Sequence, residues 1–113
     1  MISIREQMER RNAGLPPPCV ETSNTSPTLS VYLPDGQTWI LAWSRFSHAH
    51  LRGEELILVF SDHEVEIRGQ NLAHIMRDIA TLHLECVRTI PVNYRPAVND
   101  REPFINEIEV LPV

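Results

Sequence analysis

The sequence predicts an α+β domain: an antiparallel β-meander of about five strands, curled into a partly open barrel or roll, with one packed helix at about residues 71–82 and a C-terminal edge strand. Three observations predict it. The runs Trp39-Ile40-Leu41-Ala42-Trp43 and Leu56-Ile57-Leu58-Val59-Phe60 are apolar at every position, so as strands they have no polar face to give to water. Around them, apolar and polar residues alternate between short stretches of Pro, Gly, Asp and Ser, the pattern of half-buried strands joined by turns. From Leu72 onward the apolar spacing lengthens to three and four residues, the period of a helix.

In chain order, Ile2 to Arg11 can form a short helix with Ile4 and Met8 on one face, too short to stand unaided. Leu15-Pro16-Pro17-Pro18 stops it, because proline lacks the backbone donor and restricts its predecessor. Glu21 to Thr28 is polar and holds Ser, Thr, Asn and Pro, a linker composition. Residues 1–27 are therefore expected to be a short helix and a linker, and residues 28–113 the folded domain. Leu29, Val31 and Leu33 alternate with Ser30 and Tyr32 as a first strand. Pro34-Asp35-Gly36 is a turn: proline presets φ and glycine supplies positive φ. Thr38 to Trp43 is the first strand with two apolar faces, and Arg45 to Leu51 is a third strand, after a kink or bulge near Ser44. A turn at Arg52-Gly53-Glu54-Glu55 leads into Leu56 to Phe60. A turn at Ser61-Asp62-His63-Glu64 leads into Val65 and Ile67, which alternate with Glu66 and Arg68.

Gly69 is expected to break the sheet, and Asn71 to cap the helix. Leu72, Ile75, Met76, Ile79 and Leu82 form the apolar stripe of that helix, with His74, Arg77, Asp78 and Thr81 opposite. Leu84 to Ile90 reads as a strand on its β-branched Val87, Thr89 and Ile90, although Cys86 and Ile90 would also continue the helical stripe. Pro91 to Pro103 is a loop. Phe104, Ile108 and Val110 alternate with Ile105, Glu107 and Glu109 as the last strand, at an edge.

A chain of 113 residues suits a single core. The formal net charge of -5 and the scattering of the arginines argue against nucleic acid and membrane surfaces as partners. All ten basic residues are arginine, as codon usage in a GC-rich genome produces. The longest apolar runs are five residues, far short of a membrane span. Met1 to Asn12 carries both signs of charge and no apolar signal core. Cys19 and Cys86 make no disulfide framework. A cytoplasmic location is expected.

The sharpest chemical pattern is His48-Ala49-His50. Residues two apart on a strand share a face, with Cα atoms about 6.5 Å apart, and can converge on one divalent metal. Glu54 follows four residues later. A His-x-His followed by a carboxylate resembles a fragment of the first metal motif of the cupin family. That resemblance implies metal ligation by His48, His50 and Glu54. The chain departs from the motif at Ala42 and Ser61, where the family places glycines. The alternative is two solvent-facing histidines on a strand whose other face carries Ser47, Ala49 and Leu51.

Cys86 has His83 three residues before it and Glu85 beside it. On a strand His83 and Cys86 point apart, which leaves a buried structural thiol rather than an activated nucleophile. Glu64 with Glu66, and Glu107 with Glu109, share strand faces, as solvated or edge-protecting carboxylates do. The order of elements is also similar to that of Sm-like RNA-binding barrels, at the level of topology alone.

One helix can cover only one side of the two apolar strands. A contiguous patch with two tryptophans exceeds what soluble monomers expose. The expectation is therefore a non-enzymatic binding or assembly module, free of cofactors, that forms a homo-oligomer or docks on a protein partner. Its interface is expected to draw on Trp39, Leu41, Trp43, Phe104 and Ile108. The alternatives are a small metal-dependent protein using the His-x-His strand, and a barrel of Sm-like or small-ligand-binding type.

Overall fold

The structure, a computed structural model, describes residues 19–23, 26–81, 83–89 and 102–113. The helix expected over Ile2 to Arg11 and most of the loop expected over Pro91 to Pro103 lie outside the described residues. Within them the chain forms β1 (Val20–Thr22), β2 (Thr28–Tyr32), β3 (Thr38–Ala42), β4 (Phe46–Arg52), β5 (Glu55–Phe60), β6 (His63–Gln70), α1 (Ala73–Ala80), β7 (Leu84–Arg88) and β8 (Phe104–Pro112). The strands make two four-stranded sheets, in the orders β1-β7-β2-β3 and β4-β5-β6-β8. The fold is α+β, mostly strand, and the sheets do not close into a barrel.

The expected meander is there in chain order but is divided between the sheets. The β2–β3 hairpin belongs to the first, and β4, β5 and β6 to the second. The division falls at the kink expected near Ser44, where Trp43–Arg45 forms a 3-10 turn. Trp43 supplies the reason. A buried indole must place its N–H on an acceptor, and here Nε1 donates to the Leu84 carbonyl at 3.1 Å. The Trp43 backbone N–H donates to the Pro27 carbonyl at 3.0 Å. Its ring lies 5.2 Å from Phe46 and 5.7 Å from Phe60. The Trp43 side chain thus binds the first sheet by one hydrogen bond and the second by ring contacts.

Val20–Thr22 lies in the stretch expected to be linker, yet it is a strand, paired antiparallel with β7. Cys19, just before it, is buried in the core. Its carbonyl accepts from Arg88 N–H at 2.8 Å, and its Sγ accepts from Ile105 N–H at 3.2 Å. The folded unit therefore begins earlier than Thr28. So short and polar a strand has no apolar alternation to reveal it. It is held by ladder bonds to a partner more than sixty residues away, and β2 pairs parallel with the same distant strand, β7.

Gly69 does not end its strand. β6 runs on to Gln70, and a Cβ on Gly69 would overlap the Phe104 carbonyl oxygen. Glycine is there because β8 crosses too close for any side chain. The register shifts at this point, so that Asn106 is the extra residue of a bulge between Ile105 and Glu107. Asn71 is not a side-chain cap either. It holds a φ of 60° between strand and helix, and its Nδ2 donates to the Glu102 carbonyl at 3.2 Å. The N-cap of α1 is Leu72, which offers no side-chain cap hydrogen bond. Leu72, Ile75 and Ile79 are buried on the expected stripe.

The inner faces of both sheets, with α1 and Cys19, contribute to one core. No helix among the described residues is long and apolar enough to cross a membrane.

Candidate functional site

The residues singled out by sequence fall in three separate places. His48 and His50 lie on the outer face of β4 and are exposed. Their cross-strand neighbours on β5 are Val59 and Ile57. Glu54 sits in the two-residue β4–β5 turn beside Gly53, whose φ of 62° fits glycine. Among the described residues, no three His, Cys, Asp or Glu side chains converge on a site that could hold a metal ion. The outer face continues through Glu64, Glu66 and Arg68 on β6 to Leu111, Glu109 and Glu107 on β8. Arg68 reaches Glu55 and Glu107, each at 3.4 Å. The Glu66 carboxyl is pushed above the usual carboxylate range, first by desolvation and then by Glu64, Glu109 and Glu55.

Cys86 lies on β7, and His83 precedes that strand and is exposed. The group beside the thiol is Glu21 of β1, whose Oε2 accepts from Sγ at 2.9 Å and from Arg88 Nη2 at 2.9 Å. Arg88 also lies over the Tyr32 ring at 5.0 Å. Burial first, and the Glu21 bond second, push the Cys86 thiol up to about 12. At neutral pH it is a neutral donor bracing β1 against β7, not a thiolate nucleophile.

Of the residues assigned to an interface, Leu41, Trp43, Phe104 and Ile108 are buried within this one chain. Trp39 is half-buried and packs against the core. The side of the first apolar strand that lacks cover is the opposite one. Ile40 is 68% exposed, among the described residues the most exposed large apolar side chain apart from Val113 at 75%.

Ile40 stands beside a groove of about 350 Å³. Residues 39–42 line it together with Arg45, Phe60, Asp62 and His63. Neighbouring residues of a strand point to opposite faces. Four in succession can line one groove only if it runs along the backbone edge of the strand. Among the described residues, β3 is the outer strand of its sheet. The His63 ring lies 5.1 Å from Trp39, and Nδ1 is 3.6 Å from the Asp62 carboxylate. Arg45 is exposed, and among the described residues it forms no ion pair.

The four sheet edges among the described residues differ. β1 carries Glu21, and its register with β7 shifts. β4 carries His48, His50 and Arg52, with a register shift against β5. β8 carries Glu107, Glu109 and Pro112, with the bulge at Asn106. β3 is Thr-Trp-Ile-Leu-Ala, with no charge, no proline and an unbroken register. Sequence reasoning missed Ile40, Arg45, Asp62 and His63. The signal available was the absence of any charge from Thr38 to Trp43. Its meaning depended on β3 being an edge. No protein-family model matches the chain, and no curated protein or solved structure matches it.

Proposed function

We propose that this protein is a non-enzymatic docking module that receives an extended polypeptide segment along β3. One observation carries the reading: among the described residues, β3 alone of the four edges lacks the charge, proline or bulge that ordinarily keeps an edge from pairing. The groove beside it supports the reading further. Backbone groups of β3 would give an added strand its affinity. The apolar wall of Trp39, Leu41 and Phe60, with Arg45 and Asp62, would discriminate among side chains. The neutral thiol of Cys86 and the dispersed histidines favour binding over catalysis.

Selection of extended peptides from a randomised displayed library on the purified protein tests this. Recovered peptides should protect the amides of residues 38–42 from hydrogen exchange and should lose binding to Ile40→Lys. Failure to recover any saturable binder, or protection confined to β4 or β8, would sink the reading.

A further inference from the structure

We infer that a segment docked on β3 pairs through the outward backbone groups of Thr38, Ile40 and Ala42, and carries uncharged apolar side chains at the two positions flanking Ile40. The inference rests on the docking reading above and names the register and the kind of segment selected.

Backbone parity fixes the register. In an antiparallel pair, residues alternate between pairs that exchange hydrogen bonds and pairs that do not. Two bonds set the phase of the β2–β3 hairpin. At the turn, Leu33 N–H donates to the Gln37 carbonyl at 2.9 Å, and at the far end Trp43 N–H donates to the Pro27 carbonyl at 3.0 Å. Between them Tyr32 faces Thr38, Val31 faces Trp39, Ser30 faces Ile40, Leu29 faces Leu41 and Thr28 faces Ala42. Counting inward from either bond, Trp39 and Leu41 bond to β2, while Thr38, Ile40 and Ala42 turn their backbone groups away from it. Thr38 and Ile40 thus offer both N–H and C=O at the edge. Ala42 offers its N–H, because its carbonyl lies at the N-cap of the 3-10 turn.

Side chains alternate in step with the backbone. Trp39 and Leu41 pack towards the core, and Ile40 stands in solvent. A residue added opposite Ile40 therefore points outward. The residues before and after it point inward, beside Trp39 and Leu41. Phe60 reaches the same groove from the second sheet, so both inward positions meet an apolar wall.

Charge decides what fits there. β3 itself carries none. Arg45 and Asp62 line the groove and come to one end of β3, since Ser61 N–H, next to Asp62, donates to the Arg45 carbonyl at 2.8 Å. Opposite charges set at one end give little net attraction to either sign. An ionised side chain at an inward position would lose water beside Trp39 and Leu41 without gaining a partner of single sign. An apolar side chain has no such cost and buries surface.

Residue-resolved hydrogen exchange on the full chain tests the register. In the free protein the amides of Thr38, Ile40 and Ala42 should exchange at least about tenfold faster than those of Trp39, Leu41 and Trp43. The probe for the segment is an end-capped Ser-Thr-Val-Thr-Val-Thr-Ser peptide, titrated to about 5 mM. It should slow the first three amides and leave the other three as they were. Replacing both valines by Asp, or both by Lys, should weaken binding at least about tenfold, and replacing the middle Thr by Lys less than about threefold. Slow exchange at Ile40 in the free protein, or new protection confined to Trp39 and Leu41, overturns the register. Equal binding of the valine and lysine peptides overturns the selection of apolar side chains. If the valine peptide leaves every amide unchanged while displayed peptides protect β3, this inference falls and the docking reading stands. If neither binds, both fall.

Discussion

β3 and β5 carry the same kind of sequence, apolar at nearly every position, and they meet water differently. In β5, Leu56, Leu58 and Phe60 are buried, while Ile57 and Val59 on the outer face are half-buried. In β3, Leu41 is buried and Trp39 half-buried, but Ile40 on the outer face stands largely in water. Neither outer face is covered by the helix. The difference is the number of flanking strands. β5 runs between β4 and β6, so Ile57 lies between His50 and Glu66, and Val59 between His48 and Glu64. The stems of polar side chains can cover an apolar neighbour while their tips stay wet. Among the described residues, β3 has a neighbouring strand on one side only. An apolar run therefore establishes that a strand has two apolar faces. Whether the outer one is screened depends on what lies to each side.

The inward faces of the two strands should behave alike, and this is the largest expected effect. Leu41→Ala and Leu58→Ala should each cost about 3 kcal/mol in urea unfolding, the range for truncating a buried leucine. Neither loss should depend on protein concentration. The sequence reading assigned Leu41 to an interface. A Leu41→Ala loss that shrinks on dilution would favour that assignment over the core.

A second comparison sets the first sheet against the second. In the second sheet, β4, β5 and β6 are chain neighbours. In the first, β1 and β2 both depend on β7. The Glu21 carboxylate, shared by Cys86 and Arg88, braces that distant pairing. Glu21→Ala should cost about 1–2 kcal/mol, because it leaves two partly buried donors short of an acceptor. It should also lower the Cys86 pKa, since the bond to Glu21 is among the causes that raise it. The sign for the wild type follows. A thiol raised from 9.0 to about 12 contributes stability that is complete below pH 9 and lost as pH climbs towards the folded value. Thiolate absorbance against pH, read beside unfolding at pH 8 and pH 10, checks both statements.

The same division decides how much was legible in the sequence. The β4–β5–β6 meander, the stripe of α1 and the strand at Leu84–Arg88 were readable, because local periodicity and turn chemistry encode them. β1 was not, because Val20-Glu21-Thr22 has no pattern of its own. Gly69 and Asn71 stand out in the sequence, but their roles do not. Gly69 answers to the approach of Phe104 from across the sheet, and Asn71 to the Glu102 carbonyl. Neither cause is local. His48, His50 and Glu54 were placed correctly on strand and turn, but spacing alone does not bring a third ligand to them. Ile40 was visible as an apolar residue. Its significance required knowing that β3 is an edge.

The outward faces supply a smaller test. Ile57→Ala should cost about 1 kcal/mol, for loss of a half-buried side chain, and Ile40→Ala no more than about 0.5 kcal/mol, for an exposed one. The comparison should be made at the lowest workable concentration, where association adds nothing. Equal losses would mean that the stems flanking Ile57 do not screen it.

The smallest effect isolates those stems. Glu66 is held above the usual carboxylate range by desolvation and by Glu64, Glu109 and Glu55. A carboxyl whose folded value is raised contributes stability that is complete below its unfolded value, near pH 4.5, and lost as pH rises through the folded value. At pH 7 the ionised group is therefore a burden. Glu66→Gln should stabilise the protein by at most about 0.5 kcal/mol at pH 7 and by nothing below pH 4. Added salt should shrink the gain, since the repelling carboxylates are at least partly open to solvent. Glu66→Ala removes the same charge but also the stem beside Ile57, so its gain should be smaller than that of Glu66→Gln. Thermal melts of both variants at pH 4 and pH 7 separate the terms. If the alanine variant matches the glutamine variant at both pH values, Ile57 owes its partial burial to something other than its neighbour's methylenes, and the contrast with Ile40 loses its physical basis.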